Sequence, residues 1–411
     1  MKEIKFLHIA DLHLDSPFIG LSTLPQPLYS AVQESTFLSL ERIITLAIKE
    51  KVDFVLIAGD IYDSEDQSVR AQARFLKEMK RLEDANIRAF VIHGNHDFIE
   101  KHKEKLLLPD NVYVFPEQVE MATLETNQGV KVHIYGFSYG ERHMRTSRVA
   151  EYNVQQEADF HIALLHGSEL TSSEEHDVYA PFQIQEIIKK GFDYWALGHI
   201  HKRQLLTESP SIYYPGNIQG RNRKESGEKG ASIVTMSETT TTIDFIATSP
   251  IIWEEVILTI PEDSEVNTFY REITKLLNDY QGRNNSFFLH VIIQMTNKQK
   301  INTNDWLQML QEEVELTGST FVWVHKLSIE LTNQSDLKNW QEHHLAGREI
   351  MNAFKTLQDE STFYKSVESL YFESGVSRYL EDLSEQDRQL MLESALTELG
   401  VALKESEGDG K

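Results

Sequence analysis

The first part of the chain alternates short, continuously apolar stretches with longer segments of helical periodicity. Apolar stretches at 4–10, 54–58 and 88–92 predict buried strands, and the segments at 30–49 and 67–84 predict amphipathic helices between them. Strands that alternate with helices favour an α/β fold with parallel neighbouring strands.

Further apolar stretches follow with fewer helices between them. They predict strands at 131–135, 160–165, 194–197, 211–214 and 231–235. The polar segment 237–242 predicts a hairpin turn or a strand edge, with a last strand ending near 247. This part of the chain therefore predicts a second sheet packed on the first.

A boundary is predicted at Ser249-Pro250, after which the pattern changes to β-α-β-α-β. The strands are expected at 253–260, 287–295 and 321–331, and the helices at 266–280 and 304–316. This order predicts a small α+β cap domain. We therefore expect a first domain at 1–248, a cap domain at 249–335 and a helical region at 336–411.

Helical patterning dominates from 344 onward, with further apolar positions at 363–371 and a last helix at 390–403. Two interpretations of these apolar faces stay open: packing within the chain, or docking onto another protein. The polar tail at 405–411 is expected to fray.

Residues that bind metal ions recur at or near the ends of the apolar stretches. Alternation on an extended backbone would bring Asp11 and His13 to one side, and His199 and His201 repeat that spacing. Singly, such residues more often mark turns or strand ends. Together, in this order, they predict a metal centre formed by Asp11, His13, Asp60, Asn95, His166, His199 and His201.

These residues lie in five blocks that resemble the calcineurin-like metallophosphoesterases. The blocks are Asp11-Leu12-His13, Gly59-Asp60-Ile61-Tyr62-Asp63, Gly94-Asn95-His96-Asp97, His166-Gly167 and Gly198-His199-Ile200-His201. Three further segments resemble the bacterial SbcD-type DNA repair exonucleases and their YhaO-like branch: residues 7–15, Pro215-Gly216-Asn217 and Gly227-Glu228-Lys229-Gly230. The resemblance implies a four-layer sandwich, with two packed sheets flanked by helices, for the first domain.

The resemblance also implies how the metal ligands are shared. Asp11, His13 and His201 would hold one ion, Asn95, His166 and His199 the other, and Asp60 would bridge both. A set of carboxylate, amide and imidazole donors without thiolate suits manganese or iron better than a structural zinc site, and the family points to manganese. Two such ions, about 3.5–4 Å apart, activate water and neutralise charge on a phosphate ester.

His96 lies beside a predicted ligand without being one, so we assign it the role of general acid. Such an imidazole needs a partner that orients its ring, and Asp63 is the candidate, with Asp97 as the alternative. Some archaeal and eukaryotic members of the family carry histidine at the position of Asp63. This departure concerns the contact with phosphate and leaves metal binding untouched.

Length and composition set the frame for this centre. A chain of 411 residues is too long for one ordinary core, and 40% hydrophobic residues are typical of a globular protein. The absence of cysteine excludes disulfides and thiolate metal sites. No apolar run is long enough to span a membrane and no secretory signal is evident, so we predict a cytoplasmic location without membrane contact.

The formal net charge of −24 argues against DNA as a ligand, because DNA affinity depends on lysine and arginine. Local basic groups near the predicted ligands offset this objection. We name six of them the basic set and predict that they contact DNA: Lys202, Arg203, Arg221, Arg223, Lys224 and Lys229. Arg142, Arg145 and Arg148 are interpreted as solvated loop residues.

The sequence thus predicts a manganese-dependent phosphodiesterase acting on DNA. The resemblance implies a 3′-to-5′ exonuclease subunit of a repair complex, with an SbcC-type coiled-coil ATPase as partner and a cap that presents DNA. Two alternatives stay open: a small-molecule phosphodiesterase or protein phosphatase, and a largely structural subunit that recruits an ATPase. Whether the chain forms a homodimer is also left open.

Overall fold

The computed structural model describes most of the first 331 residues and parts of the remainder. The described residues are 2–18, 20–63, 67–99, 106–155, 157–170, 179–260, 266–295, 302–314, 320–331, 345–368, 385, 388, 389, 391, 392 and 395. Most of the predicted helix at 390–403, the predicted apolar positions Leu370 and Tyr371, and the whole tail at 405–411 lie outside them.

A first sheet of six strands contains the beginning of the chain. Its strands are β1 (Glu3–Ile9), β2 (Phe54–Ala58), β3 (Arg88–Ile92), β4 (Val112–Val114), β11 (Gly230–Ser237) and β12 (Thr241–Ala247). They lie in the order β12-β11-β1-β2-β3-β4. The strands β1 to β4 are parallel, whereas β11 is antiparallel to both of its neighbours.

The second sheet also has six strands and is mixed. Its strands are β5 (Glu120–Glu125), β6 (Lys131–Gly136), β7 (Phe160–His166), β8 (Tyr194–Gly198), β9 (Gln204–Glu208) and β10 (Ser211–Tyr214). They lie in the order β5-β6-β7-β8-β10-β9, with β6, β7, β8 and β10 parallel. The edge strands β5 and β9 pair antiparallel with their neighbours.

The two sheets pack face to face across a fully buried core. Phe6 and Leu56 of the first sheet contribute to this core together with Ile162 and Leu164 of the second. The helices α1 (Gln26–Glu50) and α2 (Val69–Asp84) cover the outer face of the first sheet. On the outer face of the second sheet, Trp195 packs in another buried cluster that the helix α3 (Ile184–Ile188) joins. The predicted fold, two packed sheets flanked by helices, is confirmed.

A third sheet has three strands: β13 (Ile251–Thr259), β14 (Ser286–Met295) and β15 (Val322–Leu331). The helices α4 (Val266–Gln281) and α5 (Thr303–Glu312) connect them, as the predicted β-α-β-α-β order requires. Trp253 and Phe288 of this sheet pack against Leu28 and Val32 of α1. Two helices follow, α6 (Leu345–Leu357) and α7 (Glu360–Glu368).

The chain forms two compact units. One contains Met1–Leu258, Val266–Ile292 and Asn302–Ser328, and the other contains Thr259–Glu265, Ile293–Ile301 and Ile329–Lys411. The predicted domain boundaries at 248 and 335 stay a prediction. Within the described ranges, no helix combines the length and the apolar character needed to cross a bilayer.

Candidate metal centre

The seven predicted ligands gather where parallel strands of both sheets end. Asp11 and His13 follow β1, Asp60 follows β2, and Asn95 follows β3. From the second sheet, His166 is the last residue of β7, and His199 and His201 follow β8. The carboxyl ends of parallel strands are the usual place for ligands in α/β sheets, because the chain leaves the sheet there in loops.

The backbone of these ligands differs from the extended conformation that the alternation argument predicted. The strand β1 ends at Ile9, and Asp11 and His13 adopt left-handed φ angles of 52° and 43°. Asp60 and His199 have φ angles of 50° and 100°. The prediction of an extended backbone is therefore wrong. Left-handed non-glycine residues are strained and cluster at functional sites, where the surrounding structure holds them.

Asp60 lies at the middle of the group. Its Oδ2 atom is 3.4 Å from Nε2 of His166 and 3.8 Å from Nε2 of His13. Three sets of side chains can each hold a metal ion there: Asp11 with His13 and His201, Asp11 with Asp60 and His166, and His13 with Asp60 and His96. The amide oxygen Oδ1 of Asn95 is 3.0 Å from Nε2 of His166.

His199 joins the group through its backbone as well as its ring. Its N–H donates to both oxygens of Asp11, at 3.0 and 3.1 Å. Its ring centroid is 5.3 Å from that of His166. All seven predicted ligands therefore surround one centre, and their role as metal ligands stays a prediction.

Two glycines make this crowding sterically feasible. A Cβ atom at Gly59 would lie 2.3 Å from Nδ1 of His166, and Gly59 has a φ of +94°. A Cβ atom at Gly94 would lie 2.2 Å from Oδ1 of Asp60. Both distances are too short for any side chain, so glycine at these positions lets strand ends of two sheets approach.

Three histidines have an acceptor close to Nδ1, and for His166 and His201 the contact is a hydrogen bond. Nδ1 of His166 donates to the backbone oxygen of Ala58 at 2.9 Å. Nδ1 of His13 lies 2.9 Å from Oδ1 of Asp63, and Nδ1 of His201 donates to Oε1 of Glu225 at 2.7 Å. Partners of this kind fix ring orientation and tautomer in metal-binding histidines.

The donor set fits a metal ion. His13 and His201 place their Nε2 atoms 3.0 Å apart. A carboxylate can only accept, so the proton of the His201 ring is on Nδ1 and its Nε2 lone pair faces Nε2 of His13. A cation bound by both rings stabilises such an arrangement. The group of histidine and aspartate is thus consistent with a two-metal site.

Electrostatics within the group also favours cation binding. Burial lowers the pKa of His13 to about 4 and that of His199 to about 3, so both rings are neutral near pH 7. Burial would lower the pKa of His166 too, but the charge of Asp60 and its hydrogen bond raise it to about 9. Burial would raise the pKa of Asp60, yet His166 holds it well below the ordinary value. Metal binding would therefore release a proton from His166.

The floor of the centre is buried, and one side is open. We call Asp11, His13, Asp60, Asn95 and His166 the floor, since none of them is more than 4% exposed. His96, His199 and His201 are only half-buried. A substrate would therefore approach over these three histidines.

His96 has the orientation that a proton donor needs. Its Nδ1 atom donates to the backbone oxygen of Asp63 at 2.9 Å, and its backbone N–H donates to Oδ1 of Asp60 at 3.0 Å. A carbonyl oxygen only accepts, so Nδ1 carries a proton and Nε2 is the atom available to a substrate.

Asp63 contacts His96 through its backbone oxygen, whereas its carboxylate lies beside His13 and pairs with Arg221. The alternative, Asp97, accepts from the backbone of Ile61 and Gly94, and its Oδ2 is 3.0 Å from Nδ1 of His93. Neither carboxylate touches His96 in these contacts. Asp63 as the orienting residue stays a prediction, with its backbone oxygen as the contact.

Members of the basic set contact other parts of the chain. Arg221 pairs with Asp63, and its Nη2 atom is 3.6 Å from Glu225. The guanidinium of Arg203 stacks on Phe245, with 3.5 Å between Cζ and the ring centroid. Lys229 donates to the backbone oxygen of His201 at 3.3 Å. The side chains of Lys202, Arg223 and Lys224 are exposed.

Sequence reasoning missed Glu225. It lies in a polar loop without a recognisable block, and burial would raise its pKa, but the hydrogen bond with His201 lowers it to about 2. The signal that could have found it is indirect. A metal-binding histidine needs an acceptor for its second nitrogen, and Glu225 is one of two acidic residues, with Glu228, in the adjacent loop that carries Arg221 and Arg223.

Comparison with known proteins assigns the chain to a family. The profile of the calcineurin-like phosphoesterases matches residues 4–203. The Bacillus subtilis protein named Uncharacterized metallophosphoesterase YhaO is 36% identical over 347 residues, which cover 82% of this chain and 85% of that protein. The chain belongs to the calcineurin-like phosphoesterase family. It is a metallophosphoesterase-family enzyme, and the predicted membership is confirmed.

More distant relatives are named for DNA repair. The DNA double-strand break repair protein Mre11 of Sulfurisphaera tokodaii is 27% identical over 331 residues, covering 76% of this chain and 78% of that protein. A crystal structure of a dimetal phosphatase from Danio rerio is 12% identical and covers 60% of this chain and 99% of that one. Its TM-score of 0.36 is too low to support an argument.

Proposed function

We propose that this chain is a manganese-dependent phosphodiesterase that hydrolyses DNA, acting as a 3′-to-5′ exonuclease subunit with an SbcC-type ATPase. The observation that carries the hydrolytic part is the convergence of Asp11, His13 and His166 on Asp60, with His96 at the open side. DNA as substrate is supported by the names of the distant relatives.

Two manganese ions bound by this group would activate the attacking water and neutralise charge on the phosphate. The residues of the chain provide the rest. The floor excludes bulk water from one side, since its five residues are buried. The ionised Asp60 lies between the two sets of histidines, where one carboxylate can serve both ions.

His96 would deliver the proton to the leaving oxygen. Its Nδ1 proton is held by the backbone of Asp63, so the imidazolium form presents its second proton at Nε2 toward the open side. We therefore propose that His96 protonates the leaving group.

The regions beyond the sandwich supply the proposed partner contacts. The cap at 249–335 would present DNA, and the helical region at 336–411 would dock the ATPase. Leu345–Leu357 contains apolar positions at helical spacing, which agrees with docking or with internal packing.

A second candidate is a small-molecule phosphodiesterase. The net charge of −24 favours it, as do the internal partners of Arg221 and Arg203. An acidic protein whose basic side chains are engaged has little capacity to neutralise DNA phosphates. A small phosphodiester needs less positive surface.

The experiment measures the hydrolysis of four substrates by the purified full chain in the presence of manganese. The substrates are end-labelled duplex DNA, end-labelled single-stranded DNA, a cyclic dinucleotide and a chromogenic phosphodiester. Asn95→Ala, which removes one predicted ligand of the floor, is the matched inactive variant, since Asn95 is 4% exposed.

Stepwise shortening of DNA from the 3′ end, lost in Asn95→Ala, is the expected result. Cleavage of the chromogenic compound or the cyclic dinucleotide alone would replace DNA with a small substrate. DNA binding without turnover of any substrate would favour a structural subunit that recruits an ATPase.

A further inference from the structure

The loop that follows β10 places the carboxylate of Glu225 beside the metal centre, although Glu225 belongs to none of the five blocks. Oε1 of Glu225 accepts from Nδ1 of His201 at 2.7 Å. The other oxygen, Oε2, accepts from Nδ2 of Asn217 at 2.8 Å and from the backbone N–H of Arg221 at 2.7 Å. Both oxygens are used, so the carboxylate is held in one orientation.

The loop itself is fixed on β13. Nε2 of Gln219 donates to the backbone oxygen of Ile251 at 2.8 Å, and Nε1 of Trp253 donates to that of Gly220 at 3.1 Å. The N–H of Gly227 donates back to the oxygen of Trp253 at 2.8 Å. These bonds lie on both sides of Glu225 in sequence, so its position does not depend on a single contact.

The two halves of the metal centre are therefore supported differently. His13 and His201, which share one predicted ion, have their Nδ1 atoms beside carboxylates, Asp63 and Glu225. His166 of the other half donates to a backbone oxygen. An ionised carboxylate makes its imidazole a better electron donor than a carbonyl oxygen does.

We propose that Glu225 is a positioning residue that fixes the orientation and tautomer of His201 and thereby sets the affinity of the ion on that side. Arg221 pairs with both Asp63 and Glu225 and offsets one of their two negative charges. The inference rests on the metal centre of the proposed function but not on DNA as substrate.

The test is calorimetric titration of the metal-free full chain with Mn²⁺. Wild type is expected to bind two ions, and Glu225→Gln to bind one of them about 10–100-fold more weakly, as removal of such partners does in other metal sites. Glu228→Gln is the matched control, because Glu228 is an exposed acidic residue of the same loop. It removes the same charge without touching His201.

A double-variant cycle separates positioning from a general loss of stability. If Glu225 acts through His201, then Glu225→Gln has no further effect on Mn²⁺ affinity in a His201→Gln background. Equal weakening in both backgrounds would overturn the proposal, as would unchanged affinity in the single variant.

A measurement on wild type covers the case in which Glu225→Gln does not fold. In protein loaded with the diamagnetic ion Zn²⁺ and labelled with ¹⁵N-histidine, His201 is expected to carry its proton on Nδ1. A proton on Nε2 would overturn the proposal. Absence of any bound ion in wild type would instead overturn the metal centre itself, so the two failures are distinguishable.

Discussion

The floor of the metal centre and the basic set come from different parts of the sequence, and they are organised in opposite ways. Floor residues turn their polar atoms toward one point, where Oδ2 of Asp60 lies within 4 Å of the Nε2 atoms of His13 and His166. In the basic set, Arg203 stacks on Phe245 and Arg221 pairs with two carboxylates. The floor is built for chemistry on a phosphate ester, whereas these two arginines serve the fold and the centre itself.

This difference bears on how strongly the chain alone can bind DNA. A chain with a net charge of −24, in which Arg221 pairs with two carboxylates, would bind a long polyanion weakly by itself. If DNA is the substrate, most of the grip comes from a partner or from the exposed members of the basic set. The following predictions test the contrast, beginning with the largest expected effect.

Asp60→Asn is expected to abolish hydrolysis and to prevent binding of both ions. The substitution removes the negative charge between two sets of histidines while preserving the size of the side chain. Metal content after dialysis against Mn²⁺, measured by mass spectrometry, checks the prediction. Retention of two ions with normal affinity would show that Asp60 is not shared.

His96→Ala is expected to keep two bound ions and the fold but to lower hydrolysis by about 10²–10⁴-fold, the usual contribution of a general acid. The loss should be smaller for a substrate with a good leaving group, such as a chromogenic phosphodiester, because that group needs no proton. Steady-state rates on both substrates provide the test. An equal loss on both would remove His96 from proton transfer.

The metal-free protein is expected to lose stability as the pH rises toward and beyond 9. His166 has a pKa of about 9 in the folded state and about 6.5 when unfolded, so its contribution is complete below pH 6.5. That contribution disappears as the pH passes the folded value. Urea midpoints of chelator-treated protein at several pH values measure this loss, and His166→Gln should flatten the profile. A profile unchanged by the substitution would contradict the ion pair with Asp60.

The smallest effects are expected within the basic set. Arg223 is exposed, so Arg223→Gln should reduce the salt dependence of DNA binding by about one phosphate contact without altering Mn²⁺ affinity. Arg221→Gln should instead lower stability by about 1–3 kcal/mol, because it leaves Asp63 and Glu225 without their cation. Fluorescence anisotropy at several salt concentrations and urea denaturation distinguish the two variants. If the two variants changed the salt dependence and the stability equally, the proposed difference between the exposed Arg223 and the paired Arg221 would be wrong.

Much of the sandwich could be predicted because its strands are short, apolar and separated by clear helices. The strands β2, β3 and β10 begin and end where the apolar pattern does. The missed strands are β4, with three residues, and the edge strands β5 and β9. Edge strands carry alternating or exposed polar side chains, so their local pattern resembles that of a loop.

The candidate site divides in the same way. Its ligands could be named because each follows an apolar strand, but the left-handed backbone of Asp11 and His13 depends on turns that alternation does not encode. Glu225 and the pairing of Arg221 could not be predicted, since both depend on a loop folding back from a distant part of the chain. Contacts over such separations leave no local pattern.

The metal centre depends on the absence of a side chain at Gly59. The imidazole of His166 occupies the volume that even the smallest side chain at position 59 would fill. A single methyl group there would thus push the end of β2 away from His166 at the end of β7. The geometry of the centre therefore depends on the missing side chain at position 59. We expect Gly59→Ala to damage the centre as much as the loss of a ligand does.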